Sequence, residues 1–137
     1  MTGDNVILYS SILLIEDDPD DRELFIQAID AISNGNPIEV RTAPNGADGL
    51  KLLQQKTPDI IFSDVNMPVM DGFQFALAVY DHFPSLKVPI VFMSTANLHR
   101  DIVYAEMLNV IHYIRKPGAV SELEKEVAQV LSNRYLS

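Results

Sequence analysis

Apolar residues along the chain follow two spacings. Short unbroken runs, Ile12-Leu13-Leu14-Ile15, Ile60-Ile61-Phe62 and Ile90-Val91-Phe92-Met93, alternate with stretches in which apolar side chains recur every three or four residues. Unbroken runs bounded by polar residues read as strands buried on both faces of a parallel sheet, and the longer spacing reads as amphipathic helix. The first strand, residues 12–15, ends in Glu16-Asp17-Asp18, and Asp18 with Pro19 opens a helix as N-cap and first helical position. Leu24, Phe25, Ala28, Ile29 and Ile32 form its predicted inward stripe, and Asn34-Gly35-Asn36-Pro37 ends it. A second strand covers residues 38–42, and Asn45-Gly46 opens a second helix with Ala47, Leu50 and Leu53 inward, broken at Thr57-Pro58. The Ile60 run stops at Asp64, and a third helix starts near Gly72 with Phe73, Ala76, Leu77 and Tyr80 as its stripe. After a loop at 84–87 comes a fourth strand, 89–93, stopping at Ser94-Thr95-Ala96, then a fourth helix carrying Ile102, Ala105, Met107 and Leu108. A fifth strand, 110–114, ends in Arg115-Lys116-Pro117, and Val120, Leu123, Val127, Val130 and Leu131 mark a last helix.

Five strand–helix alternations imply an α/β fold: a doubly wound parallel sheet with right-handed crossovers and five helices distributed over both faces. The common order for five strands is the flavodoxin-like 2-1-3-4-5, whose ligand crevice lies beyond the C-terminal strand ends. That order makes strands one and three neighbours, roughly 4.8 Å apart. Asp17 and Asp64 are thereby expected to meet at one edge, joined by Thr95 and Lys116 from the ends of strands four and five.

Composition narrows the function. With 137 residues, 47% hydrophobic and 21% charged, the chain reads as one ordinary globular domain. There is no cysteine, which removes disulfide and thiolate-metal frameworks and fits a reducing compartment such as the cytoplasm. A net charge of −9 without a Lys/Arg cluster argues against nucleic acid as a partner. Residues 1–11 read as an N-terminal extension, packed on the domain of residues 12–137 or ordered by a neighbour. Their apolar patch is too short to span a bilayer and lacks the basic start of a signal peptide, so no membrane partner is expected.

Carboxylates gathered at one strand edge repel, so either one takes a proton or a cation neutralises them. Hard oxygen ligands with room for water and a substrate phosphate suit Mg²⁺. Asp17 and Asp64 are the expected direct ligands, Glu16 acts through a water, and the Asn66 backbone carbonyl is a third protein ligand. Asp64 is also placed to attack phosphorus and form an acyl phosphate, with Lys116 as a point charge and Thr95 as a hydroxyl donor toward the phosphoryl oxygens.

These residues resemble the receiver domain of two-component response regulators, from Ile12 to about Leu131. Ile-Leu-Leu-Ile-Glu-Asp-Asp (12–18) is similar to the first-strand acidic motif, Asp64-Val-Asn-Met-Pro-Val-Met-Asp-Gly72 to the phosphoacceptor motif, and Thr95-Ala96 and Lys116-Pro117 to the other two signatures. The resemblance implies a single-domain, Mg²⁺-dependent, chemotaxis-regulator-like phosphorylation switch acting through protein contacts. In it Asp64 accepts phosphate from a phosphohistidine of a sensor histidine kinase or phosphotransfer protein. It implies no enzyme in the ordinary sense, only a phosphoacceptor that assists its own phosphorylation and dephosphorylation. Thr95 and Lys116 bind the phosphate, Thr95 and Tyr113 form the switch, Asn66 and Asn97 modulate dephosphorylation, and the bond before Pro117 is cis. A downstream protein target is implied, as is a homodimer through the fourth and fifth helices. Gly118 departs from the family, which often carries an aromatic residue there, so a looser start to the last helix is expected.

Other residues have plainer readings. Asp18, Asp20 and Asp21 read as capping and solvated groups, Asp71 as a turn residue, and His82, His99 and His112 share no metal-ligand spacing. Ile26 off the first helical stripe and Tyr104 on the fourth helix are candidate docking residues. The competing function is a phosphate-independent interaction module with the same fold. A phosphatase with an aspartate nucleophile is weaker, because Asp18-Pro19-Asp20 starts a helix rather than forming that site's acidic pair.

Overall fold

The computed structural model describes residues 7–33, 35–94, 108–116 and 118–133. Its strands are β1 (Ser11–Ile15), β2 (Glu39–Ala43), β3 (Ile60–Asp64), β4 (Ile90–Ser94) and β5 (Val110–Arg115). Its helices, among the described residues, are α1 (Pro19–Ile32), α2 (Gly46–Gln55), α3 (Gly72–His82) and a last one, here α4 (Val120–Leu131). The helix predicted around Ile102 to Leu108 lies mostly outside the described residues. All neighbouring strands pair in parallel, in the order β2-β1-β3-β4-β5.

The unbroken apolar runs become the inner strands because both sides of the sheet are covered. Every residue of β3 and β4 is buried, whereas β2 and β5, at the two edges, are partly exposed. Alternate side chains feed two cores. Leu13, Ile15, Ile61 and Phe92 face one side with Leu53 of α2 and Phe75 of α3. Ile12, Leu14, Phe62 and Val91 face the other with Phe25 of α1 and Val127 of α4. An irregularity in the β4–β5 register, between Ile90 and Val91, shifts this alternation. Val110 and Tyr113, three residues apart, therefore lie on the same α2/α3 side.

Helix starts follow their caps. The Asp18 carboxylate accepts from the backbone N–H of Asp20 at 2.8 Å with Pro19 in the first turn, and Asn45 accepts from the N–H of Asp48 at 2.8 Å. Asp71, expected as a turn residue, is instead the N-cap of α3 in a reciprocal capping box with Gln74. Two helical stripes also need correction. In α1, Phe25, Ala28 and Ile29 are buried but Leu24 is 39% exposed. In α3 the buried face is Phe75, Ala76 and Val79, while Leu77 and Tyr80 are exposed. Apolar residues nearly surround α3, so periodicity alone leaves its rotation open.

That rotation is set by Gly72. A Cβ there would stand 2.6 Å from the Asp64 carbonyl oxygen and 2.9 Å from Val65 Cα, so only glycine lets α3 begin against the end of β3. At the chain's other end, Ile7 and Tyr9 pack on the α1/α4 core. The Leu8 N–H donates to the Leu131 carbonyl at 2.8 Å, and the Tyr9 hydroxyl donates to that of Asn133 at 2.9 Å. Gly118 is exposed with open space where a Cβ would stand, and α4 begins without a side-chain cap. Among the described residues no peptide bond is cis, and the bond before Pro117 lies outside them.

Gly72→Ala forces backbone apart at the β3–α3 junction. A loss of about 1–3 kcal/mol is expected in urea unfolding, as for other overpacked sites. An unchanged midpoint would mean that the junction gives way freely.

Candidate functional site

The backbone ladder runs one residue past the strands and delivers the polar groups. The Glu16 N–H donates to the Ala43 carbonyl at 3.0 Å, and the Lys116 N–H to the Ser94 carbonyl at 2.8 Å. Beyond Asp64, the Val65 N–H donates to the Met93 carbonyl at 3.1 Å. Ile15 pairs with Ser63, so the residues that follow each strand stand side by side. Carboxylate oxygens of Glu16, Asp17 and Asp64 lie within 4.8 Å of one another. Glu16 is 1% and Asp64 7% exposed, whereas Asp17 opens to solvent.

Lys116 reaches into this cup from the β5 edge. Its Nζ lies 2.7 Å from Glu16 Oε1, 3.0 Å from Asp21 Oδ2 and 3.3 Å from Asp64 Oδ2. Three carboxylates, Glu16, Asp21 and Asp64, thus stand around one ammonium, and Asp17 joins Glu16 and Asp64 in the cup. Burial raises the Glu16 carboxyl to about 7; the hydrogen bond from Lys116 opposes this, and the charge of Asp64 adds to it. Burial alone would push the Lys116 ammonium down. Hydrogen bonds to Glu16 and Asp21 and the nearby carboxylate charges outweigh it, holding its pKa above the ordinary lysine value.

Sequence reading singled out Glu16, Asp17, Asp64 and Lys116, and the fold brings them together. It missed Asp21, which was read as a solvated residue of the first helical turn. Its place in the first turn of the helix that begins just after Asp17 was the available signal. Asn66 is exposed in the loop after Asp64. Tyr113 is half-buried, edge-on to Phe92 with ring centroids 5.8 Å apart. Ile26 is half-buried rather than exposed. Thr95, Asn97, His99 and Tyr104 lie outside the described residues. In the loop between β3 and α3, Val69 is 82% exposed and takes a φ of 71°, a strained conformation for a β-branched residue. The Met70 N–H donates to the Pro68 carbonyl across it at 2.8 Å.

The donor set suits a small hard dication. Three carboxylates offer oxygens, and the negative charge exceeds what Lys116 neutralises. The cup lies beyond the C-terminal strand ends, where open α/β sheets place their ligands. Fold and site together define a flavodoxin-like α/β domain with an acidic pocket and an invading lysine. Residues 12–128 match the response regulator receiver domain, and the chain belongs to that family, which serves two-component signalling. It is 26% identical to protein PilH of Pseudomonas aeruginosa over 121 residues, 88% of this chain and 97% of that protein. It spans about half the length of other relatives it matches, 54% of Rre1 of Synechocystis and 51% of AfsQ1 of Streptomyces coelicolor. Among solved structures, the phosphorylated cyanobacterial phytochrome response regulator RcpA superposes with a TM-score of 0.77 at 30% identity, covering 89% of this chain and 91% of that one. Among the described residues, no helix is long and apolar enough to cross a membrane.

The raised Glu16 carboxyl has a definite sign. The folded chain holds this proton between pH 4.5 and about 7 while the unfolded chain has lost it, so Glu16 costs stability progressively as pH rises through that window. In urea unfolding with chelator present, the stability difference between Glu16→Gln and the parent is expected to shift toward the variant by up to about 3 kcal/mol over that range. Parallel pH profiles would show that Glu16 titrates normally.

Proposed function

We propose that this chain is a phosphorylation switch in which Asp64 is the phosphoacceptor. The observation that carries the reading is the convergence of Glu16, Asp17, Asp64 and Lys116 from three strand ends on one acidic cup. The donor is a phosphohistidine on a cytoplasmic sensor kinase or phosphotransfer protein. An Asp64 carboxylate oxygen forms the bond to phosphorus as the phosphorus–nitrogen bond breaks, and the imidazole nitrogen leaves with the electron pair. Lys116, already 3.3 Å from Asp64 Oδ2, supplies a positive charge to the phosphoryl oxygens. Asp17 and Asp64 would hold Mg²⁺ directly, Glu16 through a water and Asn66 through its carbonyl; bound there, the ion adds charge neutralisation that one lysine cannot provide.

Thr95 donates its hydroxyl to the phosphoryl group, Asn66 and Asn97 adjust its lifetime, and Tyr113 repacks on the α2/α3 side of β5. Output passes to a downstream protein through that altered surface, with homodimerisation through the predicted fourth helix and α4 as one form of it. The similarity to RcpA, which was crystallised phosphorylated, supports the reading.

Acetyl phosphate with Mg²⁺ is expected to label the parent chain, and both Asp64→Asn and removal of the metal with chelator to abolish labelling. Mass spectrometry of intact protein reads the added phosphoryl group directly. Undiminished labelling of Asp64→Asn would move the acceptor elsewhere.

A further inference from the structure

Asp21 is not among the groups used by the transfer just described. Yet its Oδ2 is nearer to Lys116 Nζ, at 3.0 Å, than Asp64 Oδ2 is, at 3.3 Å. It comes from the first turn of α1, not from a strand end, and α1 is anchored there by the Asp18 cap. The ammonium donates hydrogen bonds to Glu16 and Asp21, while Asp64 meets it only as an ion pair at 3.3 Å. A phosphoryl oxygen on Asp64 that draws Lys116 toward itself therefore works against the bonds to Glu16 and Asp21.

The three contacts differ in what displacement costs. Glu16 holds the shortest contact, 2.7 Å, with a side chain only 2% exposed, so losing Lys116 would strand a buried carboxylate. The Asp64 contact lies on the phosphoryl group's own side. Asp21 is 37% exposed, so water can replace the ammonium there cheaply. A cavity of about 50 Å³ beside Lys116, lined also by Asp21, Leu24 and Leu123, gives the ammonium room to move and water room to follow.

We propose that Asp21 is a positioning residue that draws Lys116 toward α1 and competes for it with the phosphoryl group on Asp64. Asp21 thereby sets how strongly the phosphorylated state is held. The inference rests on Asp64 as phosphoacceptor. Loss of the Asp21 charge frees Lys116 and also removes an anion that repels the incoming phosphoryl oxygens, and both effects act in the same direction. A merely structural Asp21, favourable to the positive end of the α1 dipole, would lose stability on substitution without gaining affinity for the phosphoryl group.

The test is calorimetric titration of beryllofluoride, a phosphoryl mimic, at saturating Mg²⁺ into the parent, Asp21→Asn, Asp21→Ala and Asp21→Glu chains. Asp21→Asn and Asp21→Ala are expected to bind about three- to tenfold more tightly than the parent. Asp21→Glu, which keeps the charge, is expected to stay within about twofold of the parent. Asn and Ala variants no tighter than the parent, or a Glu variant that tracks them, overturn the role of Asp21 while leaving the phosphoacceptor reading intact. A parent chain that takes up no beryllofluoride overturns both.

Discussion

One ammonium surrounded by carboxylates is the constraint on which the C-terminal edge of this sheet depends. Glu16 is almost fully buried, which raises its carboxyl to about 7, and Lys116 Nζ at 2.7 Å opposes that rise by favouring the ionised form. Lys116 in turn stays charged against its own burial because the acids hold it so. The balance is also incomplete, since Asp17 and Asp64 add negative charge that a single lysine does not cancel. A site in that condition takes up a proton or a dication readily.

The rest of the fold keeps these groups from drifting apart. Mutual repulsion would spread the acids if they sat on loops, but here three backbone hydrogen bonds continue the ladder past β1, β3 and β5. The inner strands are clamped by a core on each face. Gly72 adds a second restraint, because the start of α3 presses directly on the Asp64 carbonyl. Rings link the same region sideways: Phe92 on β4 meets Phe73 of α3 at 4.9 Å and Tyr113 of β5 at 5.8 Å. The β5 irregularity makes that row possible, since regular alternation would place Tyr113 on the opposite side from Val110.

What the sequence revealed follows from how each element is stabilised. Strands such as Ile60–Asp64 were legible because burial on both faces demands an unbroken apolar run, and the acid at its end interrupts it. Asp18 was legible as a cap, and Asn45-Gly46 as a helix start, because short polar residues there precede helical spacing. The phase of α3 was not, since Phe73, Phe75, Leu77 and Val79 offer apolar groups in several directions and a backbone contact at Gly72 makes the choice. Asp71 also carried a fuller signal than the turn read from it, because Gln74 stands at the capping-box spacing. Asp21 failed for another reason. An acid in a first helical turn already has a sufficient local explanation, and only the reach of Lys116 from beyond the end of β5 gives it a distant partner.

The unequal lengths of the Lys116 contacts bear on the chemistry of the proposed transfer. A carboxylate nucleophile must be ionised yet not tightly neutralised, because a strong ion pair lowers the electron density that attacks phosphorus. Glu16 takes the shortest contact and Asp21 the next, which leaves Asp64 with the longest of the three. The ammonium is thus held close enough to meet the phosphoryl oxygens as charge reaches them, while most of its pairing before transfer falls on acids that do not react. On this view, the buried glutamate satisfies the lysine without consuming the nucleophile.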